Sequence, residues 1–188
     1  MTLPGTVAES DAGNCPDFLR GYPPIFWEKG GMFLGQIKEL TGLDGPAIQN
    51  WVKRGWVAPP VGKRYSADKV GRIFLINALR ETLSLPQIAR ILSYVNGSLT
   101  DNSDDAIRDD ALYEYFCRVT ADMNEQTPLR EEEIQEKIQT VLGHFAGPFD
   151  GARAQVAKAL FVMALSYQSG LMSRRAVHVL EELAPCIE

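Results

Sequence analysis

The 188-residue chain contains no apolar run approaching the roughly 18 residues that a helix needs to cross a membrane, so no membrane partner is expected. Its first twenty residues lack the apolar centre of a secretory signal and carry Glu9, Asp11 and Asp17, which transit peptides avoid. Cysteine is scarce. Cys15, Cys117 and Cys186 are odd in number, far apart and without a CxxC pair, which argues against a disulfide framework. Together these features predict a soluble, cytoplasmic protein. The two histidines, His144 and His178, have no ligand spacing with the cysteines, so neither a metal nor another cofactor is expected.

Catalytic signatures are equally incomplete. Ser66-Ala67-Asp68-Lys69 has the S-x-x-K spacing of acylating enzymes, but no KTG or SDN accompanies it. Gly62-Lys63 lacks the upstream glycine and following hydroxyl residue of a phosphate loop. Asp101 to Asp105 is similar to a calcium loop, yet Ala106 stands where glycine is needed and Leu112 where the closing glutamate belongs. With no nucleophile, base and orienting group, an enzyme is not expected.

What the chain does have is unevenly placed charge. The formal net charge is -5, but residues 29–90 carry ten basic against four acidic side chains, a local excess of +6. Residues 91–188 carry eight against sixteen. A basic segment flanked by acidic ones can hold a polyanion locally although the whole molecule is acidic.

A hydrophobic content of 45% is sufficient for a substantial core, and its periodicity predicts a mainly α protein. Residues 1–33 read as an irregular arm, with Tyr22, Phe26, Trp27 and Phe33 packing it onto the segment after it. Leu34, Ile37 and Leu40 mark a first helix, which Gly42 ends. Asp44 caps a short second helix, with Pro46 in its first turn and Ile48 and Trp51 facing inward. Two short helices joined by a glycine turn make a helix-turn-helix. Val57 to Tyr65, broken by Pro59-Pro60, reads as a small β hairpin or wing. Ser66 opens an apolar helix, and Ser84-Leu85-Pro86-Gln87 is a capping box for another that stops at Asn96-Gly97. Residues 98–188 read as an acidic, all-helical domain. It contains a helix through Leu112 and Phe116, one opened by Thr127-Pro128 and Glu131 to Glu133, one from Ala152 to Tyr167, and a last one from Ser173.

The phrase from Ala47 to Val57, "AIQNWVKRGWV", followed by Arg64-Tyr65-Ser66 and by "LSLPQIARIL" from Leu83 to Leu92, resembles the DNA-binding head of MerR-type transcription regulators. In that family the second helix ends in a phrase close to "TIRYYERxGLL", and a wing ending in Arg-Tyr-Ser comes next. The resemblance covers about residues 34–96. More narrowly, the chain resembles a bacterial family of unknown function carrying such a head, with phrases close to "NxVKxxxxPPVxKKYS" and a Tyr-x-Tyr-Phe-Cys motif like Tyr113 to Cys117. These resemblances imply a MerR-like winged helix-turn-helix over residues 34–97, with double-stranded DNA as the partner, homodimerisation, and RNA polymerase as a candidate contact. They name no small-molecule effector. Gln49 and Asn50 depart from the Arg and Tyr usual at their positions.

Gln49 and Asn50, near the start of the second helix, carry amides able to pair bidentately with adenine in the major groove. Lys53, Arg54, Lys63 and Arg64 fit phosphate contacts, which need only positive charge at the right distance. Tyr65 either stacks in the core or offers its hydroxyl to a phosphate. Lys69 and Arg72 begin the helix after the wing, within reach of the DNA backbone. The chain is therefore expected to be a sequence-specific DNA-binding regulator working as a homodimer. The competing expectation is a protein interaction module that keeps the helix-turn-helix frame without reading DNA. The apolar surplus on Ile134, Ile138, Val141, Leu142 and Phe145, and on Val156, Leu160, Met163, Ala164 and Tyr167, suggests a dimer surface, with a sealed core or a ligand pocket as alternatives.

Overall fold

The computed structural model describes residues 2–7, 19, 27–97 and 104–183. Cys15, Tyr22, Phe26, Cys186 and residues 101–103 of the calcium-like stretch lie outside the described residues. The described chain is mainly helical. Its elements are β1 (Met32–Phe33), α1 (Leu34–Thr41), α2 (Gly45–Lys53), β2 (Arg64–Tyr65), α3 (Ala67–Leu79), α4 (Leu85–Asn96), α5 (Asp109–Thr120), α6 (Glu131–Val141) and α7 (Ala152–Glu182). No helix among the described residues is long and apolar enough to cross a membrane. Nor do those residues gather three His, Cys, Asp or Glu side chains in a metal-binding group.

Local chemistry sets the helix ends. The Gln36 side chain accepts the Phe33 amide at 2.8 Å and so secures the first turn of α1. At its other end Gly42 adopts φ 68°, the left-handed conformation that closes a helix with little strain in glycine. Asp44 Oδ1 then accepts the Ala47 amide at 2.9 Å, starting α2 two residues later. The Ser84 capping box also forms, its amide donating to Gln87 Oε1 at 2.8 Å. Ser66 occupies the N-cap of α3 but makes no side-chain capping bond.

The β component differs from an isolated hairpin. Val61 and Arg64 exchange backbone hydrogen bonds of 3.0 and 2.9 Å around Gly62-Lys63, both at positive φ, as a two-residue primed turn requires. The arm before the turn goes no further, because the next hydrogen-bonding position falls on Pro59, which has no amide to donate. β2 also pairs with β1, upstream of α1 and α2, in the antiparallel register Met32 with Tyr65 and Phe33 with Arg64.

α3 is the axis of the molecule. Val70, Ile73, Phe74, Leu75, Ile76 and Leu79 are buried on all sides, against α1, α4, α5, α7 and β2. α5 is its most extensive partner. There the Phe74 ring meets Tyr113 edge-on at 5.2 Å. One apolar interior runs through both halves of the chain, so the boundary expected near residue 97 is no break in the core. The described start of the arm packs onto the same core. Leu3 is buried, Tyr113 donates to the Pro4 carbonyl at 2.9 Å, and Asn77 donates to the Gly5 carbonyl at 2.9 Å.

Two further expectations are corrected. The supposed dimer residues Ile134, Ile138, Leu142, Val156, Leu160, Met163 and Ala164 are interior, sealed within one copy of the chain. The break expected between Tyr167 and Ser173 does not occur; α7 runs unbroken past it. Gly170 there fits beside Glu81 and Thr82, where a larger side chain would crowd α7.

Gly71 marks the tightest crossing, since an added Cβ would lie 2.8 Å from the Asp109 carbonyl oxygen. Helix propensity favours Gly71→Ala by about 1 kcal/mol. Overpacking against backbone that cannot turn aside costs about 1 to 3 kcal/mol. The clash wins, and denaturant unfolding of Gly71→Ala is expected to show a net loss of stability.

Candidate nucleic-acid interface

α2 has two unlike faces. Ile48 and Trp51 are buried, whereas Pro46, Gln49, Asn50 and Lys53 are exposed at the spacing that lines one side of a helix. Arg54 caps the helix C-terminally, where the dipole favours positive charge. Its Nε donates to Asn50 Oδ1 at 3.3 Å, and its guanidinium stands 5.3 Å from the centroid of the Trp56 ring. Asn50 thus has its oxygen partly engaged, and among the described residues nothing accepts from its amide hydrogens. Gln49 and Lys53 have no side-chain bond within the described residues and face solvent.

Lys63 stands at the tip of the wing, exposed, at φ 66°. A side chain in that region is uncommon outside Gly, Asn and Asp, so the turn holds a lysine where the backbone favours glycine. Arg64 is half-buried and already engaged. Its guanidinium lies 3.9 Å from the centroid of the Phe33 ring, and Nη1 donates to the Gly31 carbonyl at 2.8 Å. It fastens the wing to β1. Lys69 is held similarly, its ammonium donating to the Pro59 carbonyl. Two residues expected at the DNA backbone are interior. Tyr65 is buried, and desolvation raises its phenol pKa, which assigns it to the core alternative. Arg72 is 4% exposed and out of reach of a phosphate.

Arg72 has another task. Nε donates to the Trp56 carbonyl at 2.7 Å, just beyond α2, and Nη1 donates to Asp109 Oδ2 at 2.7 Å on α5. The other Asp109 oxygen accepts from Asn96 Nδ2 at 2.6 Å on α4, and the Asp109 amide donates to Asp68 Oδ1 at 2.9 Å. The exposed face of α2 is thus braced by a polar cluster that sequence reading missed. Its members lie 13 to 41 residues apart, and nothing local marks them. Burial pushes the Asp109 carboxyl up to about 7; the Arg72 charge opposes that shift and the Asp68 charge adds to it.

Residues 32–116 match the model of a family described as a domain of unknown function, DUF1836. The matched range opens on β1 and closes inside α5, so it takes in β1 and β2, the Asp109 cluster, and α1 and α2. A protein of Bacillus subtilis (strain 168), described as the uncharacterized protein YkrK, is 35% identical over 109 residues, which is 55% of this chain. The match spans 47% of that relative's length. No solved structure matches the chain at a significant level.

Asp109 gives a pH signature with a definite sign. Its folded pKa is raised, so the folded state holds a proton that the unfolded chain releases near pH 4. The stability this contributes is fully present below about pH 4 and is lost as pH rises through about 7. Asp109→Asn is expected to flatten that slope in denaturant melts between those limits. Asp109→Ala leaves a buried guanidinium unpaired, which costs about 3 to 5 kcal/mol at neutral pH.

Proposed function

We propose that the chain is a sequence-specific, DNA-binding transcription regulator of the MerR-like type that acts as a homodimer. The observation that carries this reading is the exposed face of α2. It presents two amides, Gln49 and Asn50, with Lys53 and Arg54 beside them, and no acidic side chain interrupts it. A helix following a glycine turn, amides forward and cations behind, suits a major groove whose base edges take the amides and whose phosphates take the charges. The strained Lys63 supports it. A charge kept at a left-handed turn position that glycine would fill more cheaply points to a requirement outside the fold.

In this reading Gln49 and Asn50 address bases, and Lys53, Arg54 and Lys63 address phosphates. Arg64 and Lys69 hold the wing, and Tyr65 and Arg72 hold the core beneath it. Binding a base through Asn50 Oδ1 requires Arg54 to let go of that oxygen, and the released guanidinium becomes available to a neighbouring phosphate.

The test is selection of bound fragments from random duplex DNA, followed by affinity measurements across a salt series. A recurrent, two-fold symmetric motif is expected, and each phosphate contact is expected to add about 0.9 to the slope of log K against log salt. A flat slope with no enriched motif would sink the reading in favour of a protein interaction module. Asn50→Ala should relax the choice at one base pair, costing about 1 to 3 kcal/mol there. Lys63→Gly should act in two directions: weaker binding to all sequences and a smaller slope, but a fold more stable by up to about 1 kcal/mol.

A further inference from the structure

The end of α3, one stripe of α7 and the start of the arm enclose a cleft of about 540 Å³, none of whose lining residues belongs to the α2 face or the wing. That size falls within the roughly 300 to 1,000 Å³ of small-molecule sites. One wall carries Asn77, Arg80 and Glu81 from the end of α3. A second carries Tyr167, Leu171 and Arg174, spaced so as to share one side of α7. The third is the arm itself, and it is locked in place. Gly5, at φ 72°, lies so close to α3 that an added Cβ would stand 2.1 Å from the Phe74 carbonyl oxygen, and the Val7 amide donates to the Leu40 carbonyl at 2.8 Å. The cleft is therefore formed before anything enters it.

Its floor is apolar: Leu3, Met123 and Leu171 are 1%, 7% and 6% exposed. Its polar groups are of both kinds and only partly used. Asn77 Nδ2 donates to the Gly5 and Thr41 carbonyls at 2.9 and 3.2 Å, but among the described residues nothing donates to its Oδ1. The Tyr167 ring meets Phe116 edge-on at 5.7 Å, and its hydroxyl makes no hydrogen bond among those residues. Desolvation raises its pKa, so it keeps its proton and stays a donor. The charges are also unbalanced locally. Arg174 is shared by Glu81 and by Glu125, the latter at 3.3 Å, which leaves one negative charge in excess. Arg80 makes no ion pair among the described residues. Arg80 and Glu81 follow one another, and successive side chains leave a helix about 100° apart, so the free cation and the surplus acid stand apart instead of cancelling.

We propose that this cleft binds a small zwitterion with an apolar body, the chemistry shared by free apolar amino acids and short peptides. Arg80 takes the carboxylate, the side of Glu81 and Glu125 takes the ammonium, and the floor takes the apolar body. Asn77 Oδ1 and the Tyr167 hydroxyl supply one further acceptor and one further donor. A simple anion would meet the surplus acid unpaired, and a simple cation would leave Arg80 unused. The site is separate from the α2 face, and the proposal does not depend on the DNA reading.

Isothermal titration calorimetry on the full chain without DNA tests it, with L-leucine, L-phenylalanine and the dipeptide leucyl-leucine as probes. Isocaproate, which lacks the ammonium of leucine, and isoamylamine, which lacks its carboxylate, are the comparisons. At least one zwitterion is expected to bind below about 10 mM, and both comparisons at least about tenfold more weakly. Binding by leucine but not by the dipeptide assigns the site to free amino acids, and the reverse assigns it to peptides. Arg80→Gln is expected to weaken the zwitterion about tenfold and to leave isoamylamine unchanged, whereas Glu125→Gln should weaken the zwitterion and leave isocaproate unchanged. Both side chains reach solvent, so an unchanged melting midpoint in each variant separates lost binding from lost fold. The proposal is overturned if no zwitterion binds, if the acid or the amine binds as well as the zwitterion, or if both variants bind it as wild type does.

Discussion

Arg72 and Asp109 are buried together where α3, α4 and α5 meet, and the placement of α2 passes through them. A pair of this kind adds little net stability relative to well-packed apolar side chains, because two ions have been taken out of water. Its effect is geometric. The guanidinium has one donor for the end of α2 and another for α5, and the carboxylate has one oxygen for Arg72 and one for Asn96, so a single arrangement of four elements satisfies them. Movement of any one element would strand a charge in the interior. This is why α5, although it comes after a long connection, belongs mechanically with α1 and α2.

Features written within a few residues were legible in the sequence. Gly42 with Asp44, and Ser84 with Gln87, each act over at most three or four positions, and the structure forms the elements they announce. The exposed amides and cations of α2 were legible for the same reason, since one helix periodicity separates them from Ile48 and Trp51. What required long-range pairing was not. Met32-Phe33 is too short to announce a strand, and it becomes one only by pairing with Arg64-Tyr65, on the far side of α1 and α2 in the chain. Arg72 looked like a surface cation because its counterion lies 37 residues away. The sequence suggests one helix to Tyr167 and another from Ser173, but α7 runs through the stretch between them, where Gly170 packs beside Thr82 and Glu81.

The apolar content of residues 134–167 is plain in the sequence, but its cover is not. A surplus of apolar residues says that a face is covered, not by what. Here α5, α6 and α7 cover one another, and α5 and α7 also cover α3. Among the described residues apolar surface remains where α7 outruns its neighbours, and also at Phe149 and Val162.

The Gly62-Lys63 turn and α2 are fastened to different parts of the molecule. Arg64 ties the turn to Gly31 and Phe33, ahead of α1, while the Trp56 carbonyl ties the end of α2 to α3. Between the two anchors runs Val57-Ala58-Pro59-Pro60, whose proline rings fix two successive backbone angles and whose Pro59 carbonyl is clamped by Lys69. The stretch behaves as a spacer of set length. The distance from the amides on α2 to the cation on the turn is therefore a built-in gauge, and lengthening or loosening this spacer would change which pair of points on another molecule can be touched at once.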